Sequence, residues 1–128
     1  MQIYIYNDYG SSEFCVNALV ECFKMVYIDS LDDLNIKMVR AEDILSGILT
    51  TEENSLKLVM LCLGGGFDLG YEKMLGQRGI AIIREFVKRG GFYLGICAGA
   101  YFATDYVQFD LNGTLEVLGT NDGSYTLT

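Results

Sequence analysis

Phe92-Tyr93-Leu94-Gly95-Ile96-Cys97-Ala98-Gly99-Ala100-Tyr101-Phe102 is the stretch on which the fold turns. Residues 92–96 form a short apolar run with the character of a buried strand, and residues 98–102 are small or aromatic and suit a tightly packed helix. Between them lies Gly95-Ile96-Cys97-Ala98-Gly99, a G-x-C-x-G sequence. This is the thiol version of the G-x-S-x-G nucleophile elbow. Glycine is required on both sides because the central residue sits in a strained turn where neighbouring Cβ atoms would clash. The start of the following helix favours a thiolate. Cys97 is therefore the candidate nucleophile.

Upstream, residues 56–63 are an almost continuous apolar run closed by Gly64-Gly65-Gly66, the pattern of a central strand buried on both faces of a parallel sheet. Residues 79–89 place Ile80, Ile83, Phe86 and Val87 on one helical face and Arg84, Glu85 and Lys88 on the other, before Gly90-Gly91 stops the helix. Nearer the amino terminus, residues 3–7 read as a first strand, and Ser11 or Ser12 caps a helix over residues 13–24. Strands are expected at 25–28 and 36–39, and a helix at 41–49 with Glu42 and Asp43 in its first turn. The alternation predicts an α/β three-layer sandwich with a mostly parallel open sheet of the flavodoxin-like kind. Ligands of such sheets gather at the carboxyl ends of the strands. Both glycine turns lie at such ends, so the backbone N–H groups of Gly66 and Ala98 are candidate oxyanion or anion donors.

Composition narrows the function. At 128 residues, 51% of them hydrophobic and 20% charged, the chain has enough material for one well-packed domain. Its 17 acidic and 9 basic residues give a net charge of -8, and no Lys or Arg follows Arg89, so a nucleic-acid-binding stripe has no material. There is no His, which excludes an imidazole base or imidazole metal ligand from this chain. There is also no Pro, where an average usage of about 5% predicts roughly six. Cys15, Cys22, Cys62 and Cys97 lack metal-ligand spacing, and no cofactor motif is present. Cys15 and Cys22, about 10 Å apart along one helix, are too distant for a disulfide. Reduced thiols fit a cytoplasmic setting. The amino terminus has no signal-peptide pattern, and no apolar run approaches the ~18 residues of a membrane span.

The chain resembles the amino-terminal domain of biotin-protein ligases, a branch of the class I glutamine amidotransferase-like superfamily. The resemblance rests above all on residues 93–102 as quoted. It extends to Tyr6-Asn7 with Gly10 and Ser12, to Gly65-Gly66 with Asp68-Leu69 and Tyr71, and to Val107 with Phe109-Asp110. It implies an amidotransferase-like domain over residues 1–119, followed by a polar tail or edge strand at 120–128. Tyr9, Gly64 and Gly70 stand where that family usually has proline, which leaves those loops less constrained. Superfamily amidotransferases complete their site with a His and an acidic partner beyond the elbow, and this chain has no His to complete that pair. The ligase's biotinyl-adenylate loop has no counterpart either. The resemblance therefore implies a regulatory domain that binds a small anion or a ligase-type partner domain, without glutaminase activity.

Two other readings stand beside it. In one, Cys97 attacks a carbonyl as a small thiol enzyme. Glu13 then replaces the missing His, as an acidic residue near the first helix does in the related PfpI-type proteins. In the other, the carboxyl-terminal part is truncated or redesigned and the fold is inactive, with exposed sheet edges favouring a homodimer. Asp68 either orients the glycine turn or bonds its own backbone. Tyr101 is placed to rim a pocket and Phe102 to enter the core. Cys15, Cys22 and Cys62 read as core thiols. The acidic residues from Asp29 to Asp33, with Glu42, Asp43, Glu52 and Glu53, read as a solvated face rather than a cation site.

Overall fold

In a computed structural model, residues 1–26, 34–108 and 124–126 are described. The elements run β1 (Gln2–Tyr6), α1 (Glu13–Val26), β2 (Asn35–Val39), α2 (Ala41–Leu45), a 3-10 turn (Ile48–Thr50), α3 (Glu52–Ser55) and β3 (Val59–Leu63). They continue with α4 (Asp68–Lys88), β4 (Phe92–Gly95), α5 (Ala98–Phe102), β5 (Tyr106–Gln108) and β6 (Ser124–Thr126). The first four strands form a parallel sheet in the order β2-β1-β3-β4. β5 and β6 pair antiparallel as a separate two-stranded sheet.

Strand alternation sorts the core into two layers. Ile3 and Ile5 of β1 and Cys62 of β3 turn to α1, where Val16 and Leu19 meet them. Tyr4 and Tyr6, with Leu61 and Leu63, turn the other way against Ile44 of α2, Tyr71, Leu75, Ile80, Ile83 and Phe86 of α4, and Phe102 of α5. Helices thus cover both faces, and β1 and β3 are internal strands. The expected mostly parallel α/β architecture is the one observed.

Several boundaries differ from the sequence reading. Met25 and Val26, expected in a strand, complete α1, and the rest of that expected strand lies outside the described residues. The helix expected over 41–49 stops at Leu45, because Gly47 takes φ 95° and the chain tightens into the 3-10 turn. The central strand begins only at Val59. Leu56 is 91% exposed, because it and Leu58 belong to the connection from α3, where no second layer covers them. α4 starts at Asp68, well before the expected residue 79. Gly70, Gly76 and Gly79 disguise its first turns, and Gly76 (φ 59°, ψ -175°) breaks the helical path inside it. β4 is an edge of the sheet rather than a fully buried strand, with Phe92 48% exposed. The acidic run at 29–33 lies outside the described residues. Of the tail, only Ser124–Thr126 is described.

Candidate functional site

The carboxyl ends of β1, β3 and β4 converge on one end of the sheet, where the two glycine turns meet the start of α1. Cys97 sits between β4 and α5 at φ 53°, ψ -112°, the one positive φ outside glycine among the described residues. That conformation is sparsely populated and is held by its surroundings. Gly99 N–H donates to the Gly64 carbonyl at 3.1 Å, Ile96 N–H to the Leu63 carbonyl at 3.0 Å, and the Tyr93 hydroxyl to the Gly99 carbonyl at 2.7 Å. The flanking glycines are sterically required. A Cβ on Gly95 would stand 2.5 Å from the Gly99 carbonyl oxygen, and one on Gly99 would overlap the Leu63 carbonyl. The turn leaves Cys97 exposed while Ala98 and Gly99 are buried.

The second turn is locked to the first loop of the chain. Ser12 N–H donates to the Gly65 carbonyl at 3.0 Å and Phe67 N–H to the Gly10 carbonyl at 2.7 Å, which makes a bridge between Ser11 and Gly66. Gly66 has φ 151°, and a Cβ there would overlap the Gly10 carbonyl. The buried Tyr71 of α4 secures the turn from beneath. Its hydroxyl donates to the carbonyls of Gly64 at 2.9 Å and Gly65 at 3.3 Å. Its ring packs edge-on to Tyr6 and Phe102. Burial, followed by the nearby Cys15, Cys97 and Asp68, pushes the Tyr71 phenol well above its ordinary range, so it remains a neutral donor.

The sequence-derived candidates divide as follows. The two turns bring Gly65 against Cys97, with Gly66 and Ala98 their respective neighbours along the chain. Among the described residues, no acceptor takes the N–H of Gly66 or Ala98. Asp68 is half-buried in the first turn of α4, close enough to Tyr71 for its charge to act on the phenol. Tyr101 is exposed on α5, whereas Phe102 enters the core as expected. Glu13 opens α1 with its side chain exposed, and no hydrogen bond joins it to Cys97.

The residue that α1 carries to the glycine turn is Cys15. Its sulfur lies 2.7 Å from where a Gly65 Cβ would stand, and the Cys97 Cβ lies 3.8 Å from the same point. The reading of Cys15 and Cys22 as core thiols is thus corrected. Cys15 is half-buried at the site, and Cys22 is exposed because it falls on the outer face of α1. Cys62 is the core thiol, and burial pushes it up to about 12. Cys15 was detectable in principle as the third residue of a helix whose cap abuts a glycine turn. Tyr71 was marked only by the family resemblance, which gave it no role at the glycine turn.

The first loop is braced from the side. Burial of Asp8 would raise its carboxyl, yet N–H donors from Tyr9 (2.8 Å) and Ala41 (3.1 Å) and the Arg40 guanidinium (3.4 Å) hold it below the usual carboxylate range. Two hollows, of about 310 and 300 Å³, lie elsewhere. One opens at the amino ends of β3 and β4 around Asn54, Val59 and Gly91, and the other runs beside α4 around Ile83, Val87 and Thr104. Neither includes Cys97 or the glycine turn, so the convergence of strained turns, not cavity size, marks the candidate site.

The sequence model of the biotin-protein ligase N-terminal family matches residues 1–125. The chain belongs to that family. A biotin-protein ligase from Schizosaccharomyces pombe is 32% identical over 120 residues, covering 93% of this chain and 18% of the relative. An uncharacterized protein from Chlamydia muridarum is 32% identical over 117 residues, covering 91% of this chain and 43% of the relative. The chain therefore spans less than half the length of both curated relatives. Among solved structures, a crystal structure described as a peptidase E protein from Listeria monocytogenes EGD-e superposes with a TM-score of 0.61 at 14% identity. It covers 95% of this chain and 60% of that one. The biotin-protein ligase N-terminal domain thus has the class I glutamine amidotransferase-like fold. The resemblance stated from residues 93–102 is borne out.

Proposed function

We propose that this biotin-protein ligase N-terminal domain is a regulatory binding module rather than a glutaminase. Its site takes a small anionic group, either a free carboxylate or phosphate or an acidic group of a ligase-type partner domain. The N–H groups of Gly66 and Ala98 serve as donors, and Cys97 stands beside the bound group. The observation that carries this reading is the Cys97 turn. Its backbone strain is maintained, the thiol is exposed at the carboxyl end of the sheet, and the 128 residues hold no imidazole to accept a proton from it. A strained turn kept without a base suits contact with a ligand better than turnover. The match to a biotin-protein ligase supports a role in which the domain reports ligand occupancy to a ligation reaction carried out elsewhere.

The test uses two alkylating agents of similar size and opposite electrostatic demand. Iodoacetate is an anion, and iodoacetamide is neutral. A protein of net charge -8 repels the anion in general, so exposed Cys22 should prefer iodoacetamide. At Cys97 the iodoacetate-to-iodoacetamide rate ratio is expected to exceed that at Cys22 at least fivefold and to fall on addition of unreactive acetate. Equal ratios at the two cysteines would overturn the anion site. In parallel, incubation with L-glutamine is expected to release no ammonia above buffer. Ammonia release that disappears in Cys97→Ser would overturn the non-catalytic assignment.

A further inference from the structure

Cys15 and Cys97 come from distant parts of the chain, one from the first turn of α1 and one from the turn after β4. They nevertheless approach one point in space, the position a Gly65 side chain would occupy. The Cys15 Cβ lies 3.6 Å from that point and the Cys97 Cβ 3.8 Å from it. Glycine at 65 leaves the gap between them open, since any Cβ there would press on the Cys15 sulfur. The buried Tyr71 belongs to the same cluster, its phenol raised first by burial and then by the nearby Cys15 and Cys97. Both thiols are free, Cys97 is exposed and Cys15 is half-buried, so a small oxidant can reach the first while the second is shielded. Cys15 is three residues past the Ser12 cap, and its N–H meets the Ser12 hydroxyl at 3.5 Å. A disulfide requires Cβ atoms about 3.5–4.5 Å apart, so closure brings the first turn of α1 and the Cys97 turn to that separation across Gly65.

We infer that Cys15 and Cys97 form a peroxide-responsive dithiol that closes into an intramolecular disulfide across Gly65. The Cys97 thiolate attacks a hydroperoxide, forming an S–O bond as the O–O bond breaks and an alcohol or water leaves. This oxidises Cys97 to a sulfenic acid. The Cys15 thiolate then attacks that sulfur. The S–S bond forms, the S–O bond breaks, and the oxygen departs as water with the proton that the two thiols supply. Two thiols and one hydroperoxide thus become one disulfide, one alcohol or water from the peroxide, and one further water. A dithiol reductant reverses the change by thiol exchange. This inference does not depend on the anion site, because the iodoacetate comparison is made on fully reduced protein.

The test treats the whole chain with one equivalent of hydrogen peroxide, followed by alkylation, digestion without reductant and mass spectrometry. The expected result is a Cys15–Cys97 linked peptide that has lost two hydrogens, forms at a rate independent of protein concentration and disappears with dithiothreitol. Cys22 and Cys62 stay as thiols. In Cys15→Ser, a substitution at a half-buried position, the Cys97 sulfenic acid has no resolving thiol. Its dimedone adduct is expected to rise at least tenfold over the unsubstituted chain. Oxidation of Cys97 to sulfinic acid while Cys15 remains fully alkylatable would overturn the inference, as would equal dimedone trapping in the two proteins. A link from Cys97 to Cys22 of a second molecule would overturn it equally.

Discussion

Replacing Tyr71 by Phe tests how the glycine turn is held. The substitution keeps the ring, so the edge-on contacts with Tyr6 (centroids 5.2 Å apart) and Phe102 (6.0 Å) persist. What goes is one hydroxyl donor shared between the Gly64 and Gly65 carbonyls. Neither carbonyl is orphaned, because Gly64 still accepts from Gly99 N–H and Gly65 from Ser12 N–H. The larger penalty for an unsatisfied buried group therefore does not apply. The loss should be the net worth of one hydrogen bond, about 1 kcal/mol. With a urea dependence of about 2 kcal/mol per molar, that moves the unfolding midpoint down by roughly 0.5 M. Urea unfolding followed by far-ultraviolet circular dichroism reads the shift directly, with an unchanged slope. Tyr71→Ala, which also removes the ring, should cost about 3–5 kcal/mol. A loss above ~3 kcal/mol in Tyr71→Phe would refute the view that the carbonyls have second donors. An unchanged midpoint would refute the hydroxyl bond itself.

Three further expectations follow from the same geometry. Gly66→Ala must place a Cβ on the Gly10 carbonyl at φ 151°, whereas Gly47→Ala at φ 95° meets nothing within 4 Å. Thermal unfolding should show the first costing about 3 kcal/mol or more and the second only about 1. The depressed Asp8 carboxyl contributes stability that is fully present above the unfolded carboxylate range near pH ~4 and is lost as pH falls through its lower folded value. Asp8→Asn should accordingly be less stable than the unsubstituted chain at pH 7 and pH 5, with the gap closing by pH ~2. A gap that widens in acid would contradict that sign. Cys62, raised to about 12 by burial, should resist iodoacetamide at pH ~8 in the folded protein while exposed Cys22 is labelled. Comparable labelling of the two would show that the core opens locally.

Particular residues show where sequence reading of the site stopped. Gly95, Cys97 and Gly99 were legible because a strained strand-to-helix turn imposes its requirement on adjacent residues, and the clashes a Cβ would cause at 95 and 99 are the ones the motif implies. Gly65 and Gly66 were legible as a strand end. Cys15 was misread because Cys97, which flanks Gly65 with it, lies 82 positions along the chain, and its helical pattern is that of a core residue. The start of α4 was missed because Gly70, Gly76 and Gly79 lower helix propensity, while contacts at Gly70 and Leu75 sustain the helix. Leu56 and Leu58 read as strand because apolar character alone cannot report whether a covering layer exists.

The local rules written into neighbouring residues determined the strand and helix alternation, the parallel open sheet, the family and the strained turn at Cys97. Tertiary structure alone decided which strand became an edge, which glycine carbonyls Tyr71 would hold, and that Cys15 and Cys97 would flank Gly65. The physical reason is range. Turn sterics and hydrophobic period act over a few residues and are visible in order along the chain. Burial, hydrogen-bond partners and side-chain proximity depend on which distant segments the sheet order β2-β1-β3-β4 brings side by side.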